Sequence, residues 1–371
     1  MIASVSDSES STWPRRSTRP VQVGEVTIGG GAPVSVQTMT KTSTPDVPAT
    51  LRQIRRAAAA GADLVRVAVP TMDAVRAFAE IAAIAPVPLI ADVHFDHRIA
   101  VACARAGSAK LRINPGNIGD DQRLGEVIEA ARDACIAIRV GVNSGSLERD
   151  LLEKHGAVTA EALAESALRT VERMNRLGFE DLVVAIKAVE VPMTVAANRA
   201  FAERSELPLH LGITEAGFGR AAAVKSAAGI GIMLAEGIGD TIRVSMTDPP
   251  EDEVEVGVSL LRSLDLREGP WVTSCPTCGR CRVDLAPLAR EVAVALRELD
   301  APLTVAVMGC EVNGPGEARQ ADVGLAAGTH RAVIFARGER LRTVPIDRAV
   351  TELMTEARRI VEDPAGSDAK H

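Results

Sequence analysis

Aromatic residues are scarce in this chain. They make up 2% of its 371 residues, and tyrosine is absent. Proteins that bind single-stranded nucleic acid stack the bases on aromatic rings, so this composition argues against that function. An excess of positive charge is also missing, because the formal net charge is −7. The chain therefore has no overall positive field that would attract DNA or RNA.

Long hydrophobic runs are missing as well. No uninterrupted apolar run in the sequence reaches the roughly 18–20 residues that span a bilayer. Residues 1–20 are polar and rich in serine. Arg15 and Arg16 resemble the arginine pair of a twin-arginine export signal, but the apolar region that must follow that pair is absent. We therefore expect a flexible tail over 1–20, a cytoplasmic protein and no membrane partner.

A repeating pattern covers most of the chain. From about residue 34 to residue 266, short β-branched runs alternate with alanine-rich helical stretches, which gives eight strand–helix units. The predicted strands are 34–39, 63–69, 88–93, 110–114, 137–142, 181–187, 208–213 and 240–245. Eight strand–helix units in succession predict an α/β fold, a (β/α)8 TIM-type barrel over 21–267. A doubly wound sheet is the alternative, but the glycine-rich fingerprint expected after its first strand is absent.

The pattern changes near Gly269-Pro270. A cysteine cluster follows, and then a predicted helix at 285–299, a strand at 303–308, a glycine-rich turn, two strand-like runs and a helix at about 347–361. These elements predict a small α+β domain over 268–371.

Polar side chains gather at the ends of the predicted barrel strands, where barrels of this type place their functional groups. They are Gln37, Arg66, Asp92, His94, Arg112, Asn114, Arg139, Asn143, Lys187, His210, Glu215, Arg243 and Ser245. Five of them are cations, and a buried charge is costly unless it is paired. Two or three carboxylates cannot neutralise five cations. We therefore predict that an anion with several negative charges, such as a diphosphate, binds there.

Acid–base candidates occur at the same strand ends. Asp92 and His94 are two residues apart, so they share one face of a strand, which suits acid–base or orienting work. A purely structural Asp–His contact is the alternative. Glu215, in the segment ITEAG, is the best-placed candidate for a proton donor.

Four of the six cysteines lie near the C-terminus, at positions 275, 278, 281 and 310. In a cytosolic protein of this size, such a group indicates a metal site rather than disulfides. A structural zinc and an iron–sulfur cluster both fit the spacing. The turn Asn313-Gly-Pro-Gly316 favours the cluster, because it directs Glu317 towards the thiols. A carboxylate is a harder and more exchangeable ligand than a thiolate, so it would leave one iron open to a substrate oxygen.

With these residues considered together, the chain resembles the 4-hydroxy-3-methylbut-2-enyl diphosphate synthase family from about Arg15 to Val361. The resemblance is carried by VQTMT (36–40), ADVHF (91–95), LRINPGN (111–117), GVNSGS (141–146), LGITEAG (211–217), EGIGDTIRVS (236–245), SCPTCGR (274–280) and GCEVNGPGE (309–317). The last two motifs together are highly specific.

The resemblance implies reductive opening of 2-C-methyl-D-erythritol 2,4-cyclodiphosphate, with loss of water and two one-electron reductions. It implies a 4Fe-4S cluster on Cys275, Cys278, Cys310 and Glu317, and flavodoxin or ferredoxin as the electron donor. It also implies a homodimer in which the cluster domain of one chain caps the barrel of the other.

Two other classes of protein remain as alternatives. The first is a pteridine-type transferase barrel with a structural zinc domain, which would contain no iron. The second is an electron-transfer protein with an all-cysteine cluster, which would need no cationic barrel mouth.

The fourth cluster ligand can be tested with the variants Cys281→Ser and Glu317→Ala. If Cys281 were a ligand beside Cys310, thiolates would hold every iron and none would be open to substrate. We therefore expect Cys281→Ser to keep its iron and its reductive turnover, and Glu317→Ala to lose most activity. Iron analysis and turnover of both variants measure this. Loss of the cluster in Cys281→Ser, with a wild-type Glu317→Ala, would contradict the open-iron mechanism.

Overall fold

The structure of the protein is a computed structural model, and it describes residues 13–299, 301–310 and 321–362. The chain divides into two compact units, with the boundary between Arg267 and Glu268. Within the described residues, no helix is both long enough and apolar enough to cross a membrane.

The first unit opens with a short antiparallel hairpin, β1 (Val21–Val23) and β2 (Val26–Ile28). Gly24, in the turn between them, has a φ of +59°, a left-handed conformation that glycine adopts without the steric cost of a Cβ. Val21, Val23 and Ile28 are fully buried, so one face of the hairpin belongs to the protein core.

Eight parallel strands follow the hairpin and form one sheet. They are β3 (Ser35–Met39), β4 (Leu64–Ala68), β5 (Leu89–Asp92), β6 (Lys110–Ile113), β7 (Ala137–Asn143), β8 (Leu182–Lys187), β9 (His210–Leu211) and β10 (Thr241–Ile242). Their order is β8-β7-β6-β5-β4-β3-β10-β9. A parallel bridge between Val184 of β8 and Leu209, next to β9, brings the two ends of the sheet together. The predicted TIM-type barrel is confirmed.

Ten helices accompany the barrel strands in the described residues. They are α1 (Val47–Ala59), α2 (Met72–Ala82), α3 (His97–Arg105), α4 (Pro115–Ile118), α5 (Asp121–Asp133), α6 (Arg149–His155), α7 (Ala160–Arg176), α8 (Val191–Ala202), α9 (Gly219–Ala235) and α10 (Pro250–Ser263). Several begin at a side chain that accepts a backbone N–H: Asp46 caps α1, Thr71 caps α2 and Thr159 caps α7.

The hairpin closes the amino-terminal end of the barrel. Its buried valines and isoleucine form one hydrophobic cluster with Leu64, Ile90, Ala137 and Val183, which come from β4, β5, β7 and β8. Burial of this apolar surface stabilises the barrel at the end opposite the carboxyl ends of the strands. Polar side chains are thereby left to the middle and the other end of the barrel.

The second unit contains a five-stranded mixed sheet in the order β11-β12-β13-β14-β15. Its strands are β11 (Trp271–Ser274), β12 (Thr304–Met308), β13 (Val323–Ala327), β14 (Arg331–Ala336) and β15 (Glu339–Pro345). The first three strands are parallel to one another, and the last two pair antiparallel. Helices α11 (Leu285–Arg297) and α12 (Ala349–Glu362) contribute Val292 and Leu353 to a shared hydrophobic core.

Five strands differ from the sequence-based prediction. The hairpin was not predicted, because strands of three residues are too short for their alternation to stand out. Strands β9 and β10 have two residues each, where six were expected. Strand β11 was not predicted either, because its residues are half-buried or exposed and lack an apolar pattern.

Candidate active site

A cavity of about 130 Å³ lies among the carboxyl ends of the barrel strands. It is lined by Arg66, Arg112, Arg139, Gly141, Asn143, Ala185, Lys187, Thr214, Arg243 and Ser245. All five predicted cations therefore meet at one cavity, together with two of the predicted uncharged polar residues, Asn143 and Ser245.

Asp92, the last residue of β5, holds two of the cations. Its Oδ1 accepts a hydrogen bond from Nη1 of Arg112 at 3.0 Å, and its Oδ2 lies 3.6 Å from Nε of Arg66. Burial alone would raise the pKa of Asp92, but Arg66, His94 and Arg112 together bring it well below its usual range. Burial lowers the pKa of Arg66 to about 10, although Asp92 opposes that shift. Asp92 is therefore a permanent anion that fixes both guanidinium groups.

His94 lies beside this ion pair. Its Nε2 is 3.5 Å from Oδ2 of Asp92 and 3.0 Å from Nη1 of Arg112. The imidazole is half exposed, whereas the carboxylate is buried. The structure thus places His94 on the Asp92–Arg112 pair, and it does not line the cavity.

Arg243 follows β10 and has a different carboxylate partner, Glu253 of α10. The Nη2 and Nε atoms of Arg243 donate to the carboxylate at 3.2 and 3.3 Å. The Glu253 side chain has no solvent exposure. Glu253 could not be found by reasoning from the strand ends, because it lies on a helix.

Lys187 and Arg139 have no carboxylate partner within the part of the chain that the structure describes. Burial is the main cause that lowers the pKa of both side chains, and neighbouring arginines add to it. Gly212 makes room for the lysine, because a Cβ at that position would lie 2.8 Å from its Nζ and 2.7 Å from the carbonyl oxygen of Arg243. The cavity therefore contains positive charge that the described residues do not neutralise.

Two further nitrogen bases are buried deeper in the barrel. Lys110, the first residue of β6, and His210, the first residue of β9, are both fully buried. Nζ of Lys110 and Nε2 of His210 have no hydrogen-bond partner among the described residues. His210 was expected at the carboxyl end of its strand. That expectation is wrong because β9 begins, rather than ends, at this residue.

Two more predicted site residues lie away from the cavity lining, which also excludes Asp92 and His94. Asn114 begins α4, and its side chain accepts a hydrogen bond from the backbone N–H of Gly116 at 3.1 Å. Glu215 is exposed in the loop after β9 and has a φ of +51°, which is strained for a residue with a Cβ.

The loop that carries Glu215 is held at both ends. The Thr214 N–H donates to the carbonyl of Ala188 at 3.2 Å, and the Thr247 N–H donates to the carbonyl of Gly217 at 3.0 Å. These bonds tie the loop to the segments after β8 and β10, and they maintain the strained conformation between them.

The predicted metal ligands lie in the second unit. Cys275 directly follows β11 and Cys310 follows β12, and these strands are parallel neighbours, so both residues lie at one edge of the sheet. The Gly309 N–H donates to Sγ of Cys275 at 3.4 Å, and a Cβ on this glycine would collide with Sγ of Cys281. The thiols of Cys275 and Cys281 thus both lie close to Gly309, and thiols that lie close together fit a metal centre.

The described residues alone do not complete such a centre. No three His, Cys, Asp or Glu side chains among them form a set that could hold a metal ion. Glu317, the predicted fourth ligand, lies outside the described residues. Exposed Cys278 has a lowered pKa, because the backbone N–H and then the side chain of Arg280 hydrogen-bond to its sulfur.

Comparison with known proteins covers both units. Residues 18–258 match the model of the GcpE TIM-barrel domain, and residues 271–359 match that of the GcpE protein C-terminal domain. The chain belongs to the GcpE family. Membership of this family implies an enzyme with a metal cofactor, which agrees with the gathered thiols.

Three relatives show how closely the chain matches. A protein from Geobacter sulfurreducens is 50% identical over 93% of this chain and 98% of its own length. Proteins from Azotobacter vinelandii and Salinispora tropica are each 51% identical, over 96% and 94% of this chain and 96% and 90% of their own lengths. All three are named 4-hydroxy-3-methylbut-2-en-1-yl diphosphate synthase (flavodoxin). The family resemblance inferred from the motifs is confirmed.

The role of Asp92 can be tested with Asp92→Asn. Removing one partner of a buried ion pair typically lowers the free energy of unfolding by about 3–5 kcal/mol, and we expect a loss of this size near neutral pH. Because the pKa of Asp92 is lowered in the folded state, its contribution is fully present above the ordinary carboxyl range and is lost as the pH falls. The difference between wild type and variant should therefore shrink towards about pH 3.

Denaturant unfolding at several pH values measures this difference. Asp181→Asn, which changes an exposed aspartate just before β8, is the matched control, and its effect should stay within about 0.5 kcal/mol. Equal stabilities of the two variants would show that Asp92 does not hold the arginines.

Proposed function

We propose that this chain catalyses the reductive ring opening and dehydration of 2-C-methyl-D-erythritol 2,4-cyclodiphosphate to 4-hydroxy-3-methylbut-2-enyl diphosphate. The reaction breaks the ring bond between carbon and the diphosphate, takes up two electrons and protons, and releases one water. The observation that carries this proposal is the cavity with five converging cations in a chain of the GcpE family. We assign substrate binding to residues 21–267 and the redox centre to residues 268–371.

The cavity residues suit a diphosphate. Lys187 and Arg139 offer positive charge without a carboxylate partner among the described residues, and a phosphate oxygen can supply the missing partner. Arg66, Arg112 and Arg243 are planar donors that their carboxylates hold in one orientation. Such preorganised donors bind an anion without reorganising. The proposed substrate-binding residues are Arg66, Asp92, His94, Arg112, Asn114, Arg139, Asn143, Lys187, Arg243 and Ser245.

Glu215 is the proposed catalytic residue. Its loop follows β9 at the same end of the barrel as the cavity, and its side chain is exposed. A strained backbone that two neighbouring loops maintain is typical of functional positions. We assign Glu215 to proton transfer or to anchoring a hydroxyl group of the substrate.

The electron-transfer group that we propose is a 4Fe-4S cluster on Cys275, Cys278, Cys310 and Glu317. When bound, such a cluster delivers electrons one at a time and offers an exchangeable position next to the carboxylate ligand. The electron donor that we propose is flavodoxin, which the relatives' name includes, with ferredoxin as the alternative.

We further propose a homodimer that works in the cytoplasm. The outward face of α9 supports the dimer, because Val224 and Ile232 are 68% and 42% exposed on a helix whose only charged residues are Arg220 and Lys225. A helix of this kind is normally covered. No disulfide links the cysteines within the described residues, which suits a reducing compartment. Sedimentation of the holoenzyme measures the oligomeric state.

The function is tested by anaerobic purification, analysis of iron and sulfide, and an assay with reduced flavodoxin and the cyclic diphosphate. We expect iron and sulfide in equal amounts, and formation of the linear hydroxylated diphosphate. Zinc in place of iron would favour the transferase alternative. An iron–sulfur protein that binds no cyclic diphosphate would favour the electron-transfer alternative.

The anion site is tested by Arg112→Ala, Arg139→Ala and Arg243→Ala. Each variant removes a charge-assisted hydrogen bond, so substrate binding should weaken by about 1.5–3 kcal/mol, while the visible spectrum of the iron–sulfur protein stays unchanged. Calorimetric titration with the substrate measures the loss. The control is Arg199→Ala, which breaks an exposed ion pair with Glu236 on the outer helices. Unchanged affinity in all three variants would refute the anion site.

The role of Glu215 is tested by Glu215→Gln, which keeps the shape and removes the charge. Turnover should fall more than substrate affinity, because a group that acts on the reacting atoms contributes mainly in the transition state. The matched control is Glu190→Gln, an exposed carboxylate after the neighbouring strand β8. If Glu215→Gln turns over like the control, Glu215 only maintains the loop.

A further inference from the structure

Glu253 is the most completely enclosed carboxylate near the cavity. It lies in the first turn of α10, between the segments that follow β3 and β10. Its side chain is fully buried, and burying a carboxylate is costly unless hydrogen bonds and opposite charges satisfy it. Its partners therefore show which geometry it maintains.

Three groups donate hydrogen bonds to this carboxylate, and a fourth forms an ion pair with it. The Thr38 hydroxyl donates at 2.7 Å, the Met246 N–H at 3.1 Å, and the Arg243 guanidinium at 3.2 and 3.3 Å. The Lys41 ammonium lies 3.2 Å away and also donates to the Met246 carbonyl at 2.7 Å. Both carboxylate oxygens are occupied, so the Glu253 side chain has one orientation.

The partners connect Glu253 to the cavity. Arg243 lines the cavity, and Glu253 takes its Nε and one terminal nitrogen, which leaves Nη1 for a ligand. Met246 directly follows Ser245, another lining residue, so the bond to its N–H also fixes the backbone that presents the serine hydroxyl. Neither Glu253 nor Lys41 lines the cavity itself.

A comparison with the opposite wall supports a positioning role. There Asp92 holds Arg66 and Arg112, whereas Arg139 and Lys187 have no carboxylate partner among the described residues. The cavity therefore combines guanidinium groups of fixed direction with positive charge that is not neutralised. Glu253 fixes the direction of the Arg243 guanidinium, which follows β10, the strand that pairs with β3.

We propose that Glu253 is a positioning residue, which orients Arg243 and the Ser245 backbone towards the diphosphate of the substrate. This inference rests on the proposed function, because it names the group that holds one of the proposed substrate-binding arginines. Glu253 acts through Arg243 and does not itself touch the substrate.

The test is a double-mutant cycle of Glu253→Gln and Arg243→Ala in the reconstituted holoenzyme. Glu253→Gln alone should lower kcat/KM at least tenfold. In the Arg243→Ala background the same change should have less than a threefold effect, because the group it orients is gone. Equal effects in both backgrounds would overturn the proposal.

Binding of inorganic pyrophosphate gives a second measurement that does not depend on turnover. Glu253→Gln releases the Arg243 guanidinium from its fixed direction, so pyrophosphate affinity should fall, and Arg243→Ala should weaken it at least as much. In the Arg243→Ala background, Glu253→Gln should have little further effect on pyrophosphate affinity. A role limited to folding would instead weaken pyrophosphate binding equally in both backgrounds and lower the melting temperature in proportion. If the wild-type protein binds pyrophosphate but does not convert the cyclic diphosphate, the proposed function fails, and the cycle is then measured on pyrophosphate affinity.

Two further variants keep the test decisive. Thr38→Val is nearly isosteric and removes only one donor, so it should lower kcat/KM in the same direction by a smaller factor even if Glu253→Gln folds poorly. Asp252→Asn removes an exposed charge from the same helical turn and should leave kcat/KM unchanged. Wild-type kinetics in Thr38→Val, together with additive effects in the cycle, would refute the positioning role.

Discussion

The buried positive charge inside the barrel determines how the carboxylates around it are arranged. Lys110 and Arg139 are fully buried, and Lys187 is nearly so. Each of these charges would cost several kcal/mol if it were left in an apolar interior without a partner. The fold limits that cost by placing Asp92 and Glu253 against the neighbouring arginines, and by lining the cavity mostly with polar side chains.

This constraint divides the barrel interior into two levels. At the amino-terminal end, Leu64, Ile90, Ala137 and Val183 pack against the hairpin and supply ordinary hydrophobic stabilisation. Closer to the carboxyl ends, polar and charged side chains replace the branched apolar residues that usually fill such barrels. Stability is thus concentrated at one end, so the other end can keep uncompensated charge for a ligand.

Much of this arrangement could be predicted from the sequence, because it follows from regular spacing. Eight β-branched runs at barrel intervals predicted the fold, and charged residues at matching positions of those runs predicted the cavity. Glu253 could not be found in this way. It lies in the acidic run 251–253 at the start of a helix, and nothing in that run distinguishes the buried carboxylate from its exposed neighbour Asp252. Its role depends on a contact between residues more than 200 positions apart, Thr38 and Glu253.

His210 shows the opposite limit. A histidine in an apolar run predicts a strand, but it does not tell where that strand begins, and a shift of a few residues moves the side chain from the mouth of a barrel to its middle. Gly212 is also difficult to recognise from the sequence. It matters because it has no side chain, and this leaves room for Lys187.

The buried bases also link ligand binding to protons. Burial and the neighbouring cations lower the pKa of Lys187, Lys110 and His210, so the free barrel binds fewer protons than the unfolded chain does. The folded state therefore gains stability from these groups as the pH rises. An anion with several negative charges has the opposite effect, because it favours the protonated forms. We therefore expect the proposed anion to take up protons when it binds, and its affinity to decrease as the pH rises. The carboxylates beside the cavity, Asp92 and Glu253, are already engaged with arginines and a lysine, so the proposed anionic ligand is left to restore the charge balance.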